Sequence, residues 1–198
     1  KLGLSIFLIH GGGSKISKKL NDLNIKSNFI NGLRVTDDKI IDIVEDVLVQ
    51  FNQEIVDALK NKSCNAKEIT SKKNNIITVE PENNTLGYVG KPTKINTNIL
   101  NEIIKAKEVP VIASLGIGEN DQTYNINADS VAAVVAKELK ARRLLMLSDV
   151  EGVLNKNKKL IPEINSNQAK QMITDETISG GMIPKINNCL DVAKNGVK

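Results

Sequence analysis

A short run of bulky apolar residues, stopped by three glycines, constrains this chain more than any other feature. Leu4-Ser5-Ile6-Phe7-Leu8-Ile9-His10 leads straight into Gly11-Gly12-Gly13. A run this short and this apolar reads as a buried strand of a parallel sheet. Three glycines remove every Cβ from the turn, so backbone can approach a ligand and aim its N–H groups at negative charge. A helix follows, because Ile16, Leu20 and Leu23 share one face. Its N-terminus adds a positive dipole end beside the glycines. The same residues serve equally well as a ligand-free strand-to-helix turn, so other strand ends must decide.

Two more buried strands are predicted, at Val109–Leu115, broken by Gly116-Ile117-Gly118, and at Leu144–Ser148, closed by Asp149-Val150-Glu151-Gly152. Helices are predicted between them. Thr36 reads as the N-cap of a helix running to Lys60, with Ile40, Val44, Val47, Leu48, Phe51, Ile55 and Leu59 as its apolar stripe. Others are expected near 97–106, 128–140 and 167–173, and from Pro184 to about Gly196. Ala66–Thr70, Ile76–Val79 and Leu86–Gly90 are short and closely spaced, which suggests a small antiparallel flap. Alternating strands and helices give an α/β fold: a mainly parallel sheet sandwiched by helices, with that flap beside it. We expect two lobes, 1–123 and 124–198. The abrupt start at Lys1 and the end at Lys198 suggest a fragment.

Composition narrows the function. Aromatics make up 3% of the 198 residues and Trp is absent, which argues against platforms that stack nucleic-acid bases. The net charge of +4 comes from scattered lysines, not a dense basic arm. Cys64 and Cys189 stand far apart, outside any metal-type spacing, and read as two reduced, buried thiols. No apolar run reaches the roughly 20 residues that span a membrane, and no signal peptide opens the chain, so a cytoplasmic location is expected. The single His makes histidine acid–base catalysis a poor fit, and neither a Ser-His-Asp set nor a His/Cys metal cluster is evident. A reaction that needs no protein base fits better. Phosphoryl transfer onto a carboxylate is one, since the acceptor is already ionised and the protein need only align two anions and neutralise charge.

Unusual residues fall where an α/β sheet collects ligands, beyond the strand ends. Lys185 follows Pro184, read as position N1, and opposes its own helix dipole just after Gly180-Gly181. Lysine, free N–H groups and a helix N-terminus make an anion site, which we favour over an exposed lysine covering its helix. Asp129 either compensates a helix dipole or faces the phosphate site. Asn125 and Asn127 either cap that helix or hold a ligand. Arg34, after a glycine, either forks onto a carboxylate or is a surface residue.

Several stretches in order resemble the amino acid kinase family: His10–Gly13, Phe29–Asp37 (FINGLRVTD), Leu86–Gly90, Tyr124–Asp129, Ser148–Val153 and Gly180–Lys185. Phe29–Asp37 is similar to the branch whose acceptor is N-acetyl-L-glutamate. The resemblance implies ATP-dependent phosphorylation of that side-chain carboxylate to the acyl phosphate, in arginine biosynthesis. It implies that Gly11 and Gly12 donate N–H bonds at the substrate and the transferred group. Arg34 would clamp the α-carboxylate and Asn125 would hold the acetylated end. Asp129 would organise lysines, and Lys185 would stabilise the phosphoryl group in flight. Ser148, Asp149, Val150, Glu151, Gly152 and Val153, with Ser179, Gly180, Gly181 and Met182, would line the ATP, so the second lobe would bind nucleotide and the first the amino-acid substrate. Magnesium would sit mainly on the ATP phosphates, and a homo-oligomer, dimer or hexamer, is implied. The family's first strand, Lys-x-Gly-Gly, would precede Lys1, and its last strands would follow Lys198. Lys67–Asn75 departs from the family's glycine-rich loop and receives no role. A related kinase of glutamate or aspartate, or a non-catalytic nucleotide-binding module, are the rival readings. A dinucleotide oxidoreductase lacks its G-x-G-x-x-G spacing here.

Overall fold

A computed structural model describes residues 4–198. The first strand, expected from Leu4, begins only at Leu8, and Leu4 and Ile6 before it are exposed. The chain forms two compact units, divided between Ala132 and Ala133.

The first unit is built on three parallel strands. The central strand Val109–Ala113 lies between Leu8–His10 and Ala66–Ile69, with Ile9 and Ile69 both opposite Ile112. In chain order we call these β1 (Leu8–His10), β4 (Ala66–Ile69) and β7 (Val109–Ala113). Two amphipathic helices, α1 (Gly13–Asp22) and α2 (Asp38–Lys60), cover one face. Ile16 and Leu20 of α1 meet Ile40, Val44 and Leu48 of α2 around Ala113. Further along, Val56 of α2 packs on Ala66 and Val111. Because β7 alternates, Pro110 and Ile112 turn to the other face, and both are buried as well. Burial on both faces is why the predicted strands read as continuous apolar runs. α3 (Thr97–Lys105) also lies against β7.

The antiparallel flap is present, but its membership differs from expectation. β5 (Ile77–Pro81) pairs antiparallel with β6 (Gly90–Ile95), and parallel with β8 (Leu115–Ile117), which turns back onto β9 (Thr123–Asn125). β4, expected in the flap, is instead an edge of the parallel sheet. Gly116 does not break the second predicted strand. It lies inside β8, where a Cβ would come within 2.5 Å of Val79 and 2.9 Å of Ile126. Leu86–Val89 makes isolated bridges to Thr36 and Asn125 rather than a strand. A hairpin of β2 (Phe29–Ile30) and β3 (Leu33–Arg34) precedes α2. The Lys67–Asn75 stretch is β4 followed by a turn pinned to α2, through Ser71 Oγ to Glu45 (2.5 Å) and Lys72 to Asp46 (3.2 Å).

α4 (Ala128–Glu138) carries the chain into the second unit, which also holds α5 (Ser166–Thr174) and α6 (Met182–Lys194). Ala133, Ala136, Val192 and Val197 form its small core, joined by Ala141 and Leu144. The expected strand at Leu144–Ser148 is absent. Leu144 N–H donates to Lys198 O (2.7 Å), while Leu145 and Leu147 are 73% and 90% exposed. A buried strand needs neighbouring strands, and among the described residues none pairs with this segment. Among the described residues no helix is long and apolar enough to cross a membrane. Both cysteines are thiols, half-buried rather than buried.

Candidate functional site

The glycine turn sits between β1 and α1, and packing crowds two of its three glycines. A Cβ on Gly12 would lie 2.7 Å from the Leu48 methyl, and one on Gly11 would lie 3.2 Å from the Ala128 Cβ. Gly13 meets nothing within 4 Å. Gly12 is the N-cap of α1 and offers no side-chain cap, so the first N–H groups of the helix lack an internal partner there. The Gly11 contact brings the turn against the start of α4, whose first turn carries Asp129. Asn127 caps that helix, its Oδ1 accepting from Ser130 N–H (3.0 Å).

Arg34, at the end of β3, is only 6% exposed. Its guanidinium donates to Ser27 Oγ, to Ser17 Oγ (2.8 Å) and to Gly13 O (3.2 Å), and lies 4.7 Å from the Phe29 ring centroid. All these partners are neutral, and among the described residues no carboxylate pairs with it. Burial pulls its pKa below the usual guanidinium value, the response of a cation held out of water without an anion. The positive charge therefore stands at the glycine turn, beside a helix N-terminus. The surface-residue alternative for Arg34 is excluded.

Thr36 joins this corner to Asn125. It is fully buried and does not cap α2. Asp37 does, its Oδ1 accepting from Lys39 and Ile40 N–H (3.0 and 3.1 Å). Thr36 has a more central task. Its Oγ1 donates to Arg34 O (2.9 Å) and accepts from Asn125 Nδ2 (3.3 Å), while its backbone bonds Leu86 O and Tyr88 N–H (2.9 and 2.7 Å). Asn125 N–H in turn donates to Tyr88 O (2.9 Å). The first unit thus gathers Gly11–Gly13, Arg34, Asn125 and the N-terminal turn of α4.

Sequence reasoning missed Ser17, Ser27 and the His10–Asn52 pair. Ser17 is four residues after Gly13, on the same helix side, and that spacing was its legible signal. Asn52 lies four residues from both Leu48 and Val56, in the middle of the buried stripe of α2. Its Nδ2 donates to His10 Nε2 (2.9 Å) and Val111 O (2.9 Å), and His10 Nδ1 donates to Gly11 O (3.0 Å). Burial lowers the His10 pKa and the bond to Gly11 opposes this only partly. A folded-state value below the ordinary imidazole value of about 6.5 means that stability is full above that pH and is lost as pH falls through the depressed value. The groups packed on the ring are Asn52 and Phe51 of α2. The nearby charges are paired elsewhere, Lys15 of α1 with Glu54 of α2 and Glu68 of β4 with Lys73. We expect the urea midpoint to fall between pH 7 and 5, and His10→Gln to flatten that part of the fall. A midpoint with the same slope in both proteins would show that His10 is not the linked group.

In the second unit, Gly181 caps α6 and Gly180 takes φ +56°, both with open space where a Cβ would point. The helix starts at Met182, two residues earlier than predicted, so Pro184 is its third residue and Lys185 its fourth. Pro is tolerated there because that N–H has no partner within the helix. Lys185 remains in the first turn, half-buried, with no acidic residue beside it in that turn. Ser179 is exposed, and its carbonyl accepts from Met182 N–H (3.2 Å). Ser148, Asp149, Val150 and Glu151 form an exposed loop leading to half-buried Gly152 and Val153. Gly152 adopts φ +143°, where a side chain would be strained and would meet Leu160 at 2.8 Å. Among the described residues no group of three or more His, Cys, Asp or Glu stands together to hold a metal ion.

Comparison with known proteins identifies the family and the fold. The model of the amino acid kinase family matches residues 1–198. The chain is 65% identical to the acetylglutamate kinase of Pelagibacter ubique, over all of this chain and 69% of that protein. Among solved structures, smu.665 from Streptococcus mutans UA159 superposes with a TM-score of 0.92 at 31% identity, over 96% of this chain and 78% of that one. N-acetylglutamate synthase from Neisseria gonorrhoeae, complexed with coenzyme A and N-acetyl-glutamate, gives a TM-score of 0.87 at 22% identity, over 99% and 46% of the two chains, a likeness of fold. A parallel α/β sheet with an antiparallel companion, a glycine turn against a buried arginine, and a family match along the whole length lead to one conclusion: the chain belongs to the amino acid kinase family.

Proposed function

We propose that this chain phosphorylates the side-chain carboxylate of N-acetyl-L-glutamate with ATP, a step of arginine biosynthesis. The observation that carries the reading is Arg34, a buried cation with neutral partners, hydrogen-bonded to the turn that offers N–H groups to an anion. Identity of 65% to an acetylglutamate kinase supplies the acceptor.

In this reading Arg34 forks onto the α-carboxylate, and Asn125 bonds the acetylated end. Gly11 and Gly12 point N–H groups at the acceptor carboxylate and the phosphoryl group moving to it. One carboxylate oxygen forms a bond to the γ-phosphorus as the bond from that phosphorus to the ADP oxygen breaks. The acceptor enters ionised, so no protein group takes a proton. Charge on the phosphoryl oxygens is stabilised by the turn and by Lys185, with Asp129 orienting the lysines. Ser148–Val153 and Ser179–Met182 line the nucleotide, so residues 124–198 serve ATP and 1–123 the acceptor. Magnesium arrives on the ATP phosphates as part of the substrate. A cytoplasmic homo-oligomer, dimer or hexamer, completes the proposal.

Coupled measurement of ADP release tests it. We expect rapid release with N-acetyl-L-glutamate and little with free glutamate, whose charged amine replaces the acetyl group. Equal rates with the two acceptors would defeat the acceptor assignment and favour a related glutamate kinase.

A further inference from the structure

His10 is buried, and the transfer chemistry above gives it no task. It nevertheless touches the one peptide on which that chemistry depends. Its Nδ1 lies 3.0 Å from Gly11 O, and its Nε2 lies 2.9 Å from Asn52 Nδ2. A carbonyl oxygen only accepts, so Nδ1 carries the proton. The Asn52 amide is oriented chiefly by Val111 O at 2.9 Å, which takes one of its two N–H protons, with Ile69 O at a longer 3.4 Å, and the other proton serves His10 Nε2. Turning the amide over would set its oxygen against both carbonyls. Nε2 is therefore bare and accepts from Asn52, and the tautomer is fixed from both sides. Phe51 closes the pocket edge-on, with ring centroids 5.2 Å apart. Asn52 Oδ1 is buried with no hydrogen-bond partner among the described residues.

The consequence lies in peptide geometry. Gly11 C=O and Gly12 N–H belong to one planar unit and point in opposite directions. Whatever fixes the carbonyl also aims the N–H. Glycine has no side chain to hold that plane, and Gly12 is the residue assigned to the transferred group.

We propose that His10 is a positioning residue: its imidazole, locked as the Nδ1–H tautomer by Asn52, braces the Gly11 carbonyl and so directs the Gly12 N–H at the phosphoryl group. This rests on the phosphoryl-transfer reading of the turn.

Two substitutions separate positioning from packing. His10→Gln brings an amide to the Nε2 position, keeping the Asn52 bond and most of the volume while losing the brace. His10→Asn brings an amide to the Nδ1 position, keeping the brace while losing the Asn52 bond and opening a cavity. We expect His10→Gln to lower kcat about 10-fold with KM values nearly unchanged, since small misplacement of a donor is costly in the transition state. We expect His10→Asn to keep kcat within about 3-fold of wild type while its urea midpoint falls. His10 is the only histidine of the 198 residues, so its ring 15N signals in the unaltered protein report the tautomer directly. An Nε2–H signal overturns the inference even where a variant fails to fold. So does a His10→Gln protein with wild-type kcat, or losses of kcat in both variants that track lost stability. A wild-type protein that releases no ADP with N-acetyl-L-glutamate overturns the functional reading and this one with it.

Discussion

Replacing Lys185 by alanine lowers the turnover number by about 10²–10³-fold, the size expected for removing one donor that acts mainly on the transition state. We expect the KM for ATP to change little, because in the proposed reading the nucleotide has other contacts. Stability argues in the opposite direction. Lys185 is the fourth residue of α6, in a first turn that holds no acidic residue. A cation at the positive end of a helix costs about 0.3–1 kcal/mol, so the helix-end effect favours the alanine variant. Steady-state kinetics and a urea melt on the same preparation separate the two effects, and Lys185→Arg should recover part of the rate because it restores charge. An alanine variant with unchanged kcat would remove Lys185 from the mechanism.

The second large effect falls on a backbone contact. Gly87 has φ +66°, and a Cβ built there would lie 2.4 Å from Thr36 O and 3.0 Å from Thr36 C. The obstacle is backbone, held by the Tyr88 N–H to Thr36 O bond of 2.7 Å, and cannot swing aside as a side chain would. Gly87→Ala therefore combines left-handed strain of about 1–2 kcal/mol with overpacking of about 1–3 kcal/mol. We expect a total loss of about 2–5 kcal/mol, a large share of the roughly 5–15 kcal/mol that holds a typical domain. Thr36 also holds Arg34 and Asn125. The molecules that stay folded should then show a raised KM for the acceptor. Equilibrium denaturation measures the first effect and initial rates the second. A loss under about 0.5 kcal/mol would mean that this corner gives way more easily than its hydrogen bonds suggest.

The central strand of the parallel core was legible because burial on both faces leaves an uninterrupted apolar signature, as in Val109–Ala113. The same signature misled at Leu144–Ser148. Apolar residues declare a need for cover, but pairing depends on what stands alongside, and nothing local records that. Thr36 was read as a cap because Thr, Asp and Asp all suit a helix start. The choice fell to Asp37 once Thr36 was drawn into bridging Arg34 and Asn125. The surroundings of Arg34 were illegible for a related reason. Ser17 and Ser27 come from different segments and converge only in the fold. Asn52 was legible in principle, as one polar residue in an apolar stripe, and was passed over because its neighbours fitted the stripe so well.

The contact between Gly12 and Leu48 has a bearing on how this protein can diverge. At Gly12 the obstacle to a larger residue is a terminal methyl 2.7 Å away, on a side chain with rotamers of its own. A bulkier residue at 12 matched by a shorter one at 48 conserves the local volume, so packing couples what these two sites tolerate.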